Sequence, residues 1–400
     1  MIKKIINKII NETLKCKSFL MSFFKSKYSL IILDDFYPHL HSGFRVAEYN
    51  YYLNTIKDSV VLSTGSSFRL INSTNSFKEV KKKFEFYYPN ESRKVFKFYG
   101  NRLKTKLVYT VFLNNIHSFL PIINKSKINF FFTLYPGGGF RLGETESDEK
   151  LKDVFRSEYF KKVIVTTKPT YDYLINNKFC DQKDIEFIYG VVCASDLLNN
   201  KKQIHNTHLE KTILNICFVA HKYTDQGKDK GYDVFIKVCK QLNRFNLLFK
   251  FHVVGNFNEM DIDVKELKGN LVFYSTLNTQ DFPLFYCGMD IILSPNSSFV
   301  LSKGAFDGFP TGACIEAGLN GVALFLTDDL NQNIKFNNDE EIVIITKKET
   351  EIVEKILLYY HDREKLKQLA INGQKKIIEV YNLEAQMKQR MDVVRNLMNV

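Results

Sequence analysis

Short apolar runs alternate with helical stretches along the chain from residue 29 onward. In the first half these runs are continuous, which is typical of strands covered on both faces in a parallel sheet. A helix is predicted from about Phe44 to Leu53, and this order of elements indicates a doubly wound α/β domain. The predicted strands are SLIIL (29–33), SVVLST (59–64), KLVYTVFL (106–113), INFFFTLY (128–135), KKVIVTT (161–167) and IEFIYGV (185–191).

The same pattern starts again after a polar stretch over 197–212, which we interpret as a linker. Two α/β halves predict a cleft between two domains, and in open α/β sheets ligands bind beyond the carboxyl ends of the strands. Further strands are predicted over 213–220, 248–255, 270–275, 290–295 and 322–328, with helices over 231–243, over 279–289, from about Thr311 and from Lys347. The expected units are a basic segment over 1–28, domains over 29–200 and 201–382, and a C-terminal helix over 383–400. This helix either stays with the second domain or crosses back to the first.

Composition raises the question of an acidic partner. The 400 residues suit two domains, and the formal net charge of +12 suits nucleic acid, anionic lipid or a phosphorylated substrate. An AT-rich coding bias that favours Lys throughout explains the charge at least as well. Seven cysteines without CxxC pairs argue against a disulfide framework or a zinc site, and they favour a reducing cytoplasm.

The basic segment over 1–28 has isoleucines at helical spacing between lysines. It lacks a small-residue cleavage site, so a secretory signal is not predicted, and no apolar run approaches the ~18 residues of a membrane span. A basic amphipathic helix lies either on an anionic membrane surface or on the protein's own core, and both interpretations stay open. The expected location is the cytoplasm, with a peripheral position on the inner face of the membrane under the first interpretation.

A basic loop follows the first strand of the second half, in VAHKYTDQGKDKGYDVF. His221, Lys222 and Lys230 crowd this loop, and Gly231 opens the next helix. Cationic side chains and free N–H groups at a helix start suit a pyrophosphate. A solvated, lysine-rich loop is the alternative.

The stretch SKGAFDGFPTGACIEAGLNG, over 302–321, places glycines and a proline before a predicted helix. Glycines let backbone N–H groups approach a ligand, and a helix that starts near Thr311 directs its positive end at an anion. Glu316 lies in the second turn, where a carboxylate can hold two ribose hydroxyls. An acid between Ile315 and Ala317 is costly without a partner, although a structural role for the glycines and a surface position for Glu316 stay open.

Two loops of the first half are further candidates. In DDFYPHLHSGFRV, Gly43 opens a helix expected to face the other loops, and Asp34–Asp35 is interpreted as a polar strand end. The loop TLYPGGGFRLGE, over 133–144, contains Gly138 and Arg141 and suits an acceptor or a lid. His117 is expected to end the strand that comes before this loop.

Taken in this order, the loops and strands resemble the GT-B retaining glycosyltransferases of family 4. The resemblance covers most of the chain and implies two doubly wound, parallel-sheet (Rossmann-like) domains that face a central cleft. It also implies a nucleotide-sugar donor bound mainly by the second domain, which spans 201–382, and a glycan or lipid-linked acceptor on the first, which spans 29–200. No resident cofactor or metal is expected.

The resemblance assigns roles to individual residues. Lys230 matches the lysine on the donor pyrophosphate, Glu316 matches the glutamate that holds the ribose hydroxyls, and His221 or Lys222 stands where the family has an arginine. Asp307 is the nearest acid to the family's first glutamate, because position 308 is glycine. The remaining expected donor residues are Gly43, Gly231, Gly255, Gly308, Phe309, Pro310, Thr311 and Gly312, and the acceptor-side candidates are His117, Gly138 and Arg141.

The expected function is sugar transfer with retention, in which positive charge stabilises the leaving diphosphate. Bacterial surface polysaccharide, as lipopolysaccharide O-antigen or capsule, is the expected product. A sugar-nucleotide epimerase or a phosphorylase on the same frame is the alternative. A nucleic-acid-binding protein is the less favoured reading, because the charges are spread along the chain without a recognised binding motif.

Overall fold

The protein is described by a computed structural model for residues 28–70, 76–193, 212–278 and 280–399. Residues 1–27 of the predicted basic segment over 1–28, and residues 197–211 of the predicted linker over 197–212, lie outside this part of the chain. Within it the protein forms two parallel sheets, of seven and six strands. The predicted pair of doubly wound α/β domains is therefore confirmed.

The first domain has a seven-stranded sheet with helices on both faces. Leu30 and Ile32 on the first strand pack into one core cluster, whereas Ile31 and Leu33 pack into another. Both faces of this strand are therefore buried, as its continuous apolar run predicts. The strands are β1 (Tyr28–Asp34), β2 (Ser59–Ser63), β3 (Val95–Lys97), β4 (Thr105–Val111), β5 (Phe130–Leu134), β6 (Phe160–Val165) and β7 (Ile185–Phe187), and the helices are α1 (Gly43–Thr55), α2 (Phe77–Tyr87), α3 (Pro89–Ser92), α4 (Leu113–Ser126), α5 (Thr145–Phe155) and α6 (Lys168–Asn176).

The second domain repeats this arrangement and ends in three helices. Its strands are β8 (Leu214–Val219), β9 (Phe249–Val254), β10 (Leu271–Tyr274), β11 (Ile291–Ser294), β12 (Ala323–Leu326) and β13 (Val343–Ile344). Its helices are α7 (Tyr232–Leu242), α8 (Phe282–Tyr286), α9 (Gly312–Leu319), α10 (Glu349–His361), α11 (Arg363–Tyr381) and α12 (Leu383–Met398). No helix of the residues described here is long and apolar enough to cross a membrane.

The strand orders place a switch point in each sheet. The orders are β3-β2-β1-β4-β5-β6-β7 and β10-β9-β8-β11-β12-β13. After β1 and after β8 the chain continues to the neighbouring strands β2 and β9 on one side, whereas β4 and β11 lie on the opposite side of β1 and β8. Loops diverge at such a point and open a crevice beyond the carboxyl ends of the strands.

The last helix, α12, packs against the first domain. Met387 and Met391 belong to the same core cluster as Leu30 and Ile32 of β1. The Arg390 guanidinium forms a fully buried ion pair with Glu48 of α1, with Nε and Oε1 3.6 Å apart. The C-terminal helix therefore joins the two domains through both apolar and ionic contacts.

One sequence prediction about an element is wrong. His117 lies within α4 and does not end a strand, because β4 stops at Val111 and the helix begins at Leu113. Phe112 between them turns the chain with a φ of +70°. Phe112 and Leu113 are apolar like the strand, so the run KLVYTVFL gave no sign of where the strand ends.

Candidate active site in the interdomain cleft

The two switch points face each other across a cleft of about 420 Å³. Its walls come from the loops after β1, β4, β5, β6 and β7 in the first domain, and from those after β8, β9, β10 and β11 in the second. Eleven expected donor or catalytic residues line it: Gly43, His221, Lys230, Gly255, Asp307, Gly308, Phe309, Pro310, Thr311, Gly312 and Glu316. The structure thus brings together residues that the sequence placed on three separate loops and at the end of the predicted strand over 248–255.

Lys230 supplies the fixed cation of the cleft. Its Nζ lies 2.6 Å from Asp307 Oδ2, and the Asn296 Nδ2 donates a second hydrogen bond of 2.7 Å to the same oxygen. The ammonium group also lies 5.5 Å from the centre of the Tyr223 ring. The lysine is therefore held in place by a carboxylate and an aromatic face, and it is mostly shielded from solvent.

Gly231 and Gly255 are needed for close approach between loops. Gly231 has a φ of +73°, and a Cβ there would lie 2.0 Å from the Pro295 carbonyl oxygen. Gly255 has a φ of +133°, and its Cβ would lie 2.0 Å from the Ala220 carbonyl oxygen. Gly231 is not one of the described residues that line the cleft. Its role in the structure is to let the backbone next to Lys230 approach the loop after β11.

The N-terminus of α9 opens into the cleft. Thr311 precedes the helix as its N-cap, and Gly312 and Ala313 of its first turn line the cleft. Unpaired N–H groups and the helix dipole favour an anion at this position. The loop before α9 is fastened to the first domain, because the Tyr189 hydroxyl donates a hydrogen bond of 2.9 Å to the Phe309 carbonyl.

Glu316 lies one turn further along α9. Burial raises the pKa of its carboxyl to about 7. Burial is the one cause of this shift, and no group in the part of the chain that the structure describes donates a hydrogen bond to this carboxylate. A buried carboxylate without partners is costly to ionise, so the carboxylate has full capacity to accept hydrogen bonds from a ligand.

Of the two candidates for the family's arginine position, only His221 lines the cleft. Burial, followed by the charge of Lys230, lowers the pKa of its imidazole. Lys222 points elsewhere, because its Nζ lies 2.6 Å from Asp261 Oδ1. The sequence could not separate the two, since adjacent residues share the same loop.

The three acceptor-side candidates do not line the cleft among the described residues. His117 Nε2 lies 3.1 Å from Asp153 Oδ2 on the outer surface of α4 and α5. The Arg141 backbone N–H donates to Ser147 Oγ at 3.0 Å. Gly138 packs against the Phe112 side chain, which a Cβ at this glycine would meet at 2.4 Å.

The first-domain wall of the cleft is aromatic, a feature that the sequence analysis missed. Phe44, Phe112 and Tyr135 line it together, and their ring centres lie 5.1 to 5.8 Å apart. The Tyr135 hydroxyl donates to Glu48 Oε2 at 3.2 Å, so the ring is fixed from behind. Phe44 beside Gly43 was visible in the sequence, but the positive φ that turns Phe112 inward was not.

Asp34 and Asp35 support the loop after β1 and lie apart from the cleft lining. Asp34 is fully buried and accepts from Arg45 Nε at 3.0 Å and from the Tyr49 hydroxyl at 2.9 Å. Asp35 pairs with Arg45 at 3.4 Å. The described parts of the chain hold no cluster of three or more His, Cys, Asp or Glu residues that could bind a metal ion.

Solved structures resemble this fold over nearly its whole length. Anabaena HepE, solved in complex with UDP, covers 92% of this chain and 100% of its own, with a TM-score of 0.65 and 14% identity. A glycosyltransferase from Rickettsia africae covers 94% of this chain and 99% of its own, with a TM-score of 0.62 and 14% identity. These identities show the fold alone, and that fold is GT-B.

Residues 201–376 match the family described as glycosyl transferases group 1. The second domain therefore matches a group 1 glycosyltransferase domain, and the whole chain has the GT-B fold, which confirms the predicted fold and the resemblance to these enzymes. A Klebsiella pneumoniae relative, an uncharacterized 41.2 kDa protein in the cps region, is 26% identical over 114 residues. That match covers 28% of this chain and 30% of the relative.

Proposed function

We propose that the protein transfers a sugar from a nucleotide-sugar donor to a glycan or lipid-linked acceptor. The observation that carries this proposal is the convergence of Lys230, His221, the α9 N-terminus and Glu316 on one cleft. A nucleotide sugar carries a diphosphate next to a ribose. The Lys230 ammonium, the His221 imidazole and the start of α9 match the diphosphate, and the unpartnered carboxylate of Glu316 matches the ribose.

Lys230 and His221 bind the diphosphate in this proposal, together with N–H groups of Gly312 and Ala313. As the bond from the sugar to the diphosphate breaks, negative charge accumulates on the leaving group. Fixed positive groups in a shielded cleft stabilise that charge more than water does. The chemistry requires no protein nucleophile and no metal ion, and retention of configuration accords with the family.

In this proposal Asp307 holds Lys230 in place and also binds the transferred sugar. Its Oδ2 is held by Lys230 and by Asn296, and its backbone carbonyl accepts from Gln332 Nε2 at 2.9 Å. One carboxylate oxygen therefore remains for the hydroxyls of the transferred sugar. Asp307 would thus take the role of the family's first glutamate, whose place in this chain is position 308.

The acceptor enters from the first domain in this proposal. The wall of Phe44, Phe112 and Tyr135 offers flat apolar faces, which suit the apolar face of a sugar ring. The opposite wall is polar and cationic. The two walls thus present a sugar-stacking surface on one side and a diphosphate site on the other.

Two comparisons favour particular substrates. Anabaena HepE has been solved with UDP and with UDP-glucose, which supports a uridine nucleotide as the first donor to test. The Klebsiella relative from a cps region supports a role in capsule or other surface polysaccharide. Both remain parts of the proposal, because the identities are low and the second match is short.

A thermal-shift screen tests the donor. UDP, GDP, dTDP, ADP and CMP, with their sugars, are compared with and without magnesium for the wild type and for Glu316→Ala. Stabilisation by one nucleotide class, independent of magnesium and lost in the variant, is expected. No stabilisation by any of them would refute the proposal, and turnover of the nucleotide sugar with no acceptor present would favour an epimerase.

A further inference from the structure

Two histidines from different domains line the same cleft. His41 belongs to the loop between β1 and α1, and His221 follows β8. His221 is among the groups that lower the pKa of His41, so the two imidazoles lie near each other in the cleft. His41 is not among the residues that the sequence predicted for the site.

His39 holds the His41 segment in place. The His41 backbone N–H donates to His39 Nδ1 at 3.3 Å, and the two rings meet edge to face with centres 4.8 Å apart. Burial lowers the pKa of His39 to about 4, so its Nδ1 is unprotonated at neutral pH and accepts this bond. The His41 Nδ1 is itself buried and has no hydrogen-bond partner among the described residues.

The groups around both imidazoles disfavour a proton on either ring. Burial is the largest cause that lowers the pKa of His41, and the charges of His221 and of Lys83 in α2 are smaller causes. Burial also lowers the pKa of His221, followed by Lys230. The nearby carboxylate of Asp307 is paired with Lys230, and Glu316 lies in the same cleft. An anion between the two histidines would reverse this balance.

We propose that His41 is a donor-binding residue of the first domain, and that His41 and His221 each take up a proton when the donor diphosphate binds between them. This inference rests on the proposed function. The first domain then contributes a cation that appears only when the anion is present. His41 lies two residues before Gly43, so the same segment brings both residues to the diphosphate.

The sign of the pH dependence follows from linkage. A group whose pKa is higher in the complex than in the free protein binds a proton on association. Affinity for the diphosphate is then greatest at low pH and falls as pH rises through the pKa of the complex, by up to about tenfold per pH unit for each proton.

Calorimetric titration with UDP at pH 6, 7 and 8 tests the inference. Two buffers of different ionisation enthalpy give the number of protons taken up. His41→Gln is expected to take up fewer protons than the wild type and to bind less tightly at pH 6, with a smaller difference at pH 8. His41→Lys carries a permanent charge at this position, so its affinity is expected to fall less between pH 6 and pH 8 than that of the wild type, because only the proton taken up by His221 remains.

His361→Gln is the matched control, because this histidine is exposed at the end of α10. The second ionisation of UDP, near pH 6, and the titration of Glu316 are common to all variants and cancel in the comparison. Binding by the wild type with unchanged proton uptake in His41→Gln would overturn the inference alone. No binding of UDP, GDP, dTDP or ADP by the wild type would overturn the proposed function as well.

Discussion

Lys230 and Asp307 form an ion pair of 2.6 Å although 77 positions separate them in the chain. The pair joins the loop after β8 to the loop after β11 at the switch point of the second sheet. It therefore fixes the lysine before a ligand binds. Preorganised charge of this kind needs little rearrangement during a reaction.

Replacing Lys230 with methionine is expected to lower turnover by about 10²–10³-fold, because the leaving diphosphate loses its fixed cation. The measurement is release of nucleoside diphosphate from the donor that the thermal-shift screen identifies. Lys237→Met is the matched control, since this lysine pairs with Glu349 on the exposed side of α7. Wild-type turnover in Lys230→Met would refute the role assigned to this residue.

Asp307→Asn should separate binding from catalysis. The substitution removes a negative charge beside Lys230, so affinity for the nucleoside diphosphate is expected to stay equal or to rise. Turnover is expected to fall at least tenfold, because the sugar loses its carboxylate partner. Calorimetry and initial rates measure the two effects, and a tenfold loss of diphosphate affinity would contradict this assignment.

Glu316→Gln should have opposite effects on stability and on function. The pKa of Glu316 is raised to about 7 in the folded protein, above its value in an unfolded chain. Such a group lowers the free energy of unfolding as pH rises from about 4 to about 7. The variant is therefore expected to melt at a higher temperature than the wild type at pH 8.

The gain in melting temperature should disappear at pH 4, where both forms are neutral. At either pH the variant should lose stabilisation by the donor, because the amide cannot replace a carboxylate toward two hydroxyls. Thermal unfolding at the two pH values, with and without nucleotide, checks both effects. A variant less stable than the wild type at pH 8 would argue that Glu316 has a stabilising partner.

Two Gly→Ala substitutions should differ in their effect on folding. Gly231→Ala places a Cβ against the Pro295 carbonyl at a φ of +73°, so we expect a loss of more than ~1 kcal/mol in the free energy of unfolding. Gly312→Ala meets nothing within 4 Å at the start of α9, and its stability is expected to match or slightly exceed that of the wild type. Denaturant unfolding measures both, and equal stabilities would show that the loop after β8 can relax.

Arg390→Met should destabilise the protein by about 3–5 kcal/mol, because it leaves the Glu48 carboxylate buried without its cation. Both side chains are fully buried. The double variant with Glu48→Gln removes the uncompensated charge and is expected to recover part of the loss. Urea unfolding of the two variants tests the coupling, and equal losses in both would show that the charge of Glu48 is not the cause.

The local pattern of the chain was enough for eleven of the thirteen described strands and for many loop residues, whereas it missed the short edge strands β3 and β13. Continuous apolar runs such as SLIIL recur because each strand is buried on both faces, and this property belongs to the strand itself. Glycine and charge after β8 and β11 marked the loops that border the cleft. The basic segment over 1–28, the domain boundaries and the roles of individual site residues remain predictions.

Other features depended on how the two sheets face each other. The cleft contains His221 but not Lys222, and it contains the aromatic wall of Phe44, Phe112 and Tyr135 in place of the three acceptor-side candidates. His41 reaches the same cleft from the other domain. No local pattern carries this information, because it arises from the paths of loops and from contacts between residues far apart in the chain.

The sequence by itself therefore determined the two α/β domains, the repeated strand pattern of the second half and the loops that carry charge and glycine. Hydrophobic periodicity reports the surroundings of each segment, so these features could be read locally. Only the tertiary structure decided which side chains share the cleft, because that depends on switch points, on the turn at Phe112 and on the packing of α12 across both domains.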